Sequence, residues 1–195
     1  MPKLTLTQLA NILKSEWILL VLGLASVGLV TLAIVSSKGK VSPPRASPSP
    51  QVVAWKNNII AGTTTVSELQ QKLGQPQQIE QEEGKLTYLY PSTNKYRPHQ
   101  VEISQEKVAI IKEQVIGSER GKLSDYLVKY GQPQILVYGR HGAFAPGHFW
   151  GNWGLLVFGN PNTEEIVEIW HFAPTTVSNF LSSNPEIKQG EPQNF

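Results

Sequence analysis

Hydrophobic and polar positions divide the chain into an uncharged run, a Pro/Ser stretch, and two rounds of a helical stripe followed by alternating segments. The run Trp17 to Val35 contains no charged residue. At ~1.5 Å rise per residue it matches a ~30 Å hydrocarbon core, so a transmembrane anchor is predicted over 17–35 behind a short flank, 1–16. A cleaved signal peptide is the alternative, opposed by the length of the run and the lack of an Ala-x-Ala site. Residues 36–50 follow as a linker in which Pro43, Pro44, Pro48 and Pro50 are interleaved with serines. Such a stretch favours extended polyproline geometry and packs no core.

The helical stripes come next. Val66, Leu69 and Leu73 fall at i, i+3, i+7, and Thr65 with Glu68 forms a capping box ahead of them. Gly74 and Pro76 stop this helix. Gln77 to Gln81 leads to a turn at Glu82-Glu83-Gly84. Lys85 to Tyr90 then alternates, with Leu86, Tyr88 and Tyr90 on one face. His99–Ser104 and Val108–Ile116 read as a hairpin. Leu123, Tyr126, Leu127 and Tyr130 make a second stripe, stopped by Gly131 and Pro133. Lys122 stands where Thr65 stood, so Ser118 or Gly121 is expected to cap. Ile135–Tyr138, Trp153–Phe158 and Glu164–Phe172 read as strands, with a long Gly- and aromatic-rich loop from Arg140 to Asn152. Pro174 with Val177, Phe180 and Leu181 suggests a small closing helix.

The two stripes are one phrase written twice. Ser67 to Gln77 returns as Ser124 to Gln134, 57 residues on, with six of eleven positions identical. The expected fold is therefore α+β: two tandem α-β-β-β repeats with antiparallel sheet, 51–117 and 118–181, then a tail, 182–195. Capping and packing account for most of the phrase. Lys72/Lys129 and Gln77/Gln134 are left without a reason.

Composition narrows the classes. Residues 1–50 carry five Lys/Arg against one Glu, +4, whereas the rest carries twelve against fourteen Asp/Glu, −2. A mildly acidic domain argues against nucleic-acid binding. The absence of cysteine excludes disulfides, thiolate metal sites and a lipid-carrying cysteine. Lys and Arg lie on both sides of the apolar run, with a slight lean toward a cytoplasmic domain. The short basic lead and the Pro/Ser spacer point the other way, to an extracytoplasmic one.

The stretch Gly62-Thr-Thr-Thr-Val-Ser-Glu-Leu69-Gln-Gln-Lys-Leu73-Gly74-Gln-Pro76, followed by aromatic strands, resembles the SmpA/OmlA (BamE-like) family. Two such units in tandem resemble β-lactamase-inhibitor-protein-like folds. The resemblance covers 60–116 and, more weakly, 121–173. It implies a short helix on an antiparallel sheet and a scaffold or interaction role at a cell envelope. It brings no catalytic residues and calls for no cofactor.

Candidate chemistry gathers in the 140–152 loop. Arg140, His141, Phe144, His148, Phe149, Trp150 and Trp153 combine the residue types that binding hot spots favour. No histidine spacing matches a zinc motif, and no nucleophile elbow or phosphate loop is present. Glu164, Glu165 and Glu168 read as a solvated strand face. The expected function is a non-catalytic, membrane-anchored interaction or scaffold module whose partner is another envelope protein. The alternatives are a small envelope hydrolase or metal-dependent enzyme using His141, His148 and a carboxylate, and a cell-wall glycan-binding module.

Overall fold

A computed structural model describes residues 52–82, 84–94 and 96–190. The expected anchor at 17–35 and linker at 36–50 lie outside them. Among the described residues no helix is long and apolar enough to cross a membrane. The membrane-spanning element of the expected fold therefore has no counterpart among the described residues.

The first unit opens with helix α1, Val66–Leu73, then strands β1 (Gln78–Glu82), β2 (Lys85–Tyr90), β3 (His99–Ser104) and β4 (Lys107–Gln114). The second repeats this with helix α2, Leu123–Tyr130, and strands β5 (Ile135–Tyr138), β6 (Gly147–Trp150), β7 (Leu155–Gly159) and β8 (Ile166–Phe172). Helix α3, Val177–Ser183, and a short β9, Lys188–Gln189, complete it. Each repeat thus has four strands after its helix, not three, and the expected α-β-β-β count is corrected. The strand missed in the second repeat is β6, which lies inside the stretch read as a loop.

All nine strands join one antiparallel sheet in the order β1-β2-β3-β4-β8-β7-β6-β5-β9. The first eight read the same from either end, so the repeats meet along β4 and β8. There Ile111 faces His171, Lys112 faces Trp170, and Gln114 faces Glu168. Opposed residues share a face and alternate along each strand.

On the first face α1 inserts Leu69 among Trp55, Ile59, Tyr88, Tyr90, Val101, Val108 and Ile111. A bulge at Glu102/Ile103 keeps both Val108 and Ile111 on this face. Helix α2 covers the same face of the second repeat, where Leu123 packs with Trp150, Leu155, Val157, Ile166 and Ile169. On the second face α3 covers only the second repeat, with Phe180 and Ile187 over Phe149, Leu156, Phe158, Trp170 and Phe172. Asn184 and Ile187 are buried and β9 pairs with β5, so the expected tail is anchored at least to Gln189.

The duplicated phrase has duplicated bonds. The Thr65 hydroxyl accepts from the Glu68 N–H while Glu68 accepts from the Thr65 N–H, completing the capping box. At α2 the N-cap position belongs to Lys122, rather than Ser118 or Gly121. Asp125 accepts from the Lys122 N–H at 2.8 Å, the half of the box that needs no N-cap acceptor. The Gly74 carbonyl accepts from the Tyr90 hydroxyl, and the Gly131 carbonyl from the Trp150 indole. Gln77 and Gln134, unexplained by capping, each donate their backbone N–H to the neighbouring strand at 2.8 Å, at Leu89 and Phe149. The phrase fixes a helix, its stop and the first rung of a sheet.

Candidate functional site

The junction of the repeats concentrates the buried charge, one carboxylate on each face. On the first face Glu113 is 2% exposed. It accepts from Arg120 Nε and Nη2 and meets His171 Nε2 at 3.2 Å. Burial, the largest influence, pushes its carboxyl up. The His171 hydrogen bond and charge, joined by Arg120, outweigh it and hold the group at about 2. The same carboxylate adds to the burial that pushes the nearby Tyr126 phenol up to about 12.

On the second face Glu168 is 1% exposed. One oxygen accepts from Gln114 Nε2 and Arg140 Nη2, each at 2.9 Å. The other accepts from Arg140 Nε at 3.2 Å and meets His141 Nε2 at 2.7 Å. Burial again pushes the carboxyl up, and the His141 hydrogen bond with the Arg140 charge pulls it below the usual carboxylate range. The Trp170 indole N–H lies toward this carboxylate without reaching hydrogen-bond geometry. A buried carboxylate held this way is structural, because both oxygens are already occupied. It straps the loop after β5 across the end of β7, where the His141 ring packs against Phe158.

The seven sequence-singled residues separate on folding. Arg140 and His141 meet at Glu168. Phe144 is exposed in a single 3-10 turn, Gly142–Phe144. His148, Phe149 and Trp150 are buried in β6, on alternating faces. Trp153, half-buried, packs its ring on Tyr130. His148 lies on the face opposite the His141 cluster and contacts the Pro146 carbonyl. Burial pushes its imidazole down, against the pull of the Val157 and Pro146 carbonyls. His141 and His148 therefore cannot share a metal, and among the described residues no group of three His, Asp or Glu is placed to hold one. Trp55 and Trp150 are buried, so neither ring is open for a sugar to stack on.

Two cavities adjoin on the second face. One, about 260 Å³, is lined by Glu80, Lys85, Thr87, Gln100, Glu102 and Lys112, the polar set of β1–β4 that α3 leaves uncovered. The other, about 240 Å³, shares Gln100 and Lys112 and continues to Arg140, Trp170 and Glu186. Lys112 sits between them. Its amine is 2.6 Å from Glu102, 3.4 Å from Glu186 and 4.2 Å from the centre of the Trp170 ring.

Sequence reading missed Glu113 and Glu168, and it took Glu168 for a solvated position. A signal was present. Val167, Ile169 and Trp170 surround Glu168, so both alternating sets of β8 are apolar. A strand apolar on both faces is buried on both, and a lone acid in it must be paired inside.

No family model and no curated protein matches the sequence. Among solved structures, the chain is similar to a cysteine-rich secretory protein from Staphylococcus aureus subsp. aureus Mu50, with TM-score 0.45, 8% identity and coverage of 75% of this chain and 55% of that one. It is also similar to an extracellular protein containing an SCP domain from Bacillus anthracis str. Ames, with TM-score 0.44, 18% identity and coverage of 80% and 55%. The chain thus spans about half of each. With no family model matching, and with the neighbours described as a cysteine-rich secretory protein and an SCP-domain protein, the expected membership of the SmpA/OmlA (BamE-like) family, duplicated as in β-lactamase-inhibitor-protein-like folds, is corrected. The phrase that carried that resemblance is accounted for by capping and strand pairing.

Proposed function

We propose that this domain is a non-catalytic, extracytoplasmic interaction module that meets a protein partner through the second face of β1–β4. The observation that carries the proposal is the asymmetry of coverage. Glu80, Lys85, Thr87, Gln100 and Glu102 project from a rigid sheet where α3 does not reach, and they line a groove. Mixed charges on a fixed surface set partner choice and register. The junction carboxylates support a binding role over a hydrolytic one. Their oxygens are filled by Arg, His and Gln, and the hydrogen bonds of His141 and His171 go to Glu168 and Glu113 rather than to a Ser or Thr hydroxyl. The Pro/Ser-rich stretch ahead of the domain suits an extracytoplasmic spacer. That setting is also the one named for the two similar structures, a secretory and an extracellular protein.

The test is photo-cross-linking in cells with a reactive residue placed in the full-length chain at Thr87 or, as control, at the exposed Val128 of α2. A discrete adduct from Thr87 that is missing from Val128, and lost in Glu102→Lys, is expected. The same adducts from both positions, or none from Thr87, would refute the surface assignment.

A further inference from the structure

The two ends of the sheet are closed differently. Strand β9 ends it with two residues, Lys188–Gln189, whereas β1 ends it with five, Gln78–Glu82. Among the described residues β1 has one neighbour, β2, and every β1 residue except Glu80 is exposed. Hairpin geometry decides which backbone groups of β1 point away from β2. Glu82 and Lys85 close the hairpin over a two-residue loop. The closing pair of such a loop exchanges both hydrogen bonds, and bonded and non-bonded pairs alternate from there. Gln78, Glu80 and Glu82 therefore bond to β2, and Ile79 and Gln81 turn their N–H and C=O groups outward. The β3–β4 hairpin, closed by Ser104 and Lys107 over two residues, gives the same parity when counted back through β2.

The side chains along this edge sort by face. Gln78, Glu80 and Glu82 share the second face with Thr87, and Glu80 and Glu82 line the groove there. Ile79 and Gln81 lie on the first face, where Ile79 is 55% exposed beside Tyr88 at the rim of the first core. Gln78 Nε2 donates to Glu80 at 3.0 Å, and Lys85 stands opposite Glu82. The edge row itself carries two negative charges and no positive one. A second copy of this chain fits it poorly. Antiparallel self-pairing with all five residues overlapped sets Glu80 against Glu80, and like charges directly opposite are destabilising. Charge on an edge guards against self-association, and charge of one sign still admits a strand of the other sign. A strand seated on β1 brings its Cβ atoms to about 5 Å from those of Glu80 and Glu82.

We propose that β1 receives an extended segment of a partner protein as a tenth strand, one with Lys or Arg at alternate positions and apolar residues between them. Its backbone pairs with Ile79 and Gln81. Its basic side chains lie beside Glu80 and Glu82, and its apolar ones beside Ile79. This deepens the reading above and rests on it for a protein partner: the partner that meets the second face enters along β1.

The probe is the end-blocked peptide Thr-Lys-Val-Lys-Val-Lys-Thr, titrated into the nitrogen-15-labelled full chain, with the same peptide carrying Glu for Lys as control. The lysine peptide is expected to bind saturably below about 2 mM and at least about tenfold more tightly than the glutamate peptide. At about ten times its Kd it should slow amide hydrogen exchange at Ile79 and Gln81 about tenfold, with Glu80 little changed because its N–H is already in the ladder. Glu80→Lys combined with Glu82→Lys, both at the surface edge, should reverse the preference between the two peptides. Gln81→Pro removes an outward N–H, leaves the β2 ladder intact, and should weaken the lysine peptide about tenfold or more. No saturable binding by about 2 mM, no reversal in the double variant, protection that skips Ile79 and Gln81, or a Gln81→Pro chain that binds like wild type would each overturn the proposal. A Thr87 adduct in cells without peptide binding would refute strand addition and leave the surface assignment standing. Peptide binding without the adduct would refute the surface assignment and keep the edge as a strand acceptor.

Discussion

Replacing Arg140 by alanine removes two of the four hydrogen bonds that, among the described residues, satisfy the Glu168 carboxylate, together with the fixed positive charge paired with it. Glu168 stays 1% exposed, with Gln114 and His141 left to hold it. Breaking a fully buried ion pair by removing one partner costs about 3–5 kcal/mol. The Arg140 side chain is 50% exposed, so water screens part of its interaction and roughly 2–3 kcal/mol is expected at pH 7. The sign with pH follows from linkage. In the wild type the folded Glu168 carboxyl lies below its unfolded value of 4.5, so its stabilisation is present above 4.5 and is lost as pH falls through the lowered folded value. Without Arg140, burial is less opposed, the folded value rises, and that stabilisation shrinks. The gap between wild type and Arg140→Ala is therefore widest at pH 7 and narrows below 4.5. Urea unfolding followed by tryptophan fluorescence reads this as a midpoint about 1–2 M lower at neutral pH. A loss under about 0.5 kcal/mol, or a gap that holds constant down to pH 3, would refute a structural role for the buried pair.

Three further outcomes are expected. Burial and the Lys56 charge hold the folded His99 at about 4 against 6.5 when unfolded, so stability falls as pH drops from 6.5 toward 4. The loss is about 1–2 kcal/mol once water access to the ring is allowed for, and His99→Gln should flatten that part of the pH–stability curve while leaving a second drop between 4.5 and 2 that belongs to Glu113. Phe149→Ala, in the centre of β6, should lose about 3–5 kcal/mol by thermal or urea unfolding, whereas Phe144→Ala at the exposed turn should stay within about 0.5 kcal/mol. Gly154→Ala combines a φ of +61° with a Cβ placed against the Phe172 carbonyl oxygen, and should cost more than Gly142→Ala, where φ is +56° but the space is open and about 1 kcal/mol is expected.

Local rules carried the helices. Thr65, Glu68, Gly74 and Pro76 act within a few residues of one another, and so do Gly131 and Pro133, which is why both helices and both stops were legible. The same rules misread Gly147 to Trp150. Glycine beside aromatics resembles a loop, yet Gly147 is glycine because a Cβ there would meet Leu156, Phe158 and Val137. That crowding comes from strands distant in the chain, and no local window contains it. Arg140 and His141 stood out as unusual residues, but their partner Glu168 is nearly thirty positions away and sits in a strand whose alternation looked half solvated.

By itself the sequence determined the duplication, the paired helices with their stops, and most strands, because each depends on periodicity and capping chemistry that neighbours in the chain supply. Only the tertiary structure decided that the repeats share one sheet, that β6 is a buried strand, that Glu113 and Glu168 lie buried on opposite faces, and that one face of β1–β4 stays open. Those outcomes depend on which segments meet across the β4–β8 seam and on where α3 covers the sheet, and burial and charge pairing are set by such meetings rather than by any residue's own neighbours.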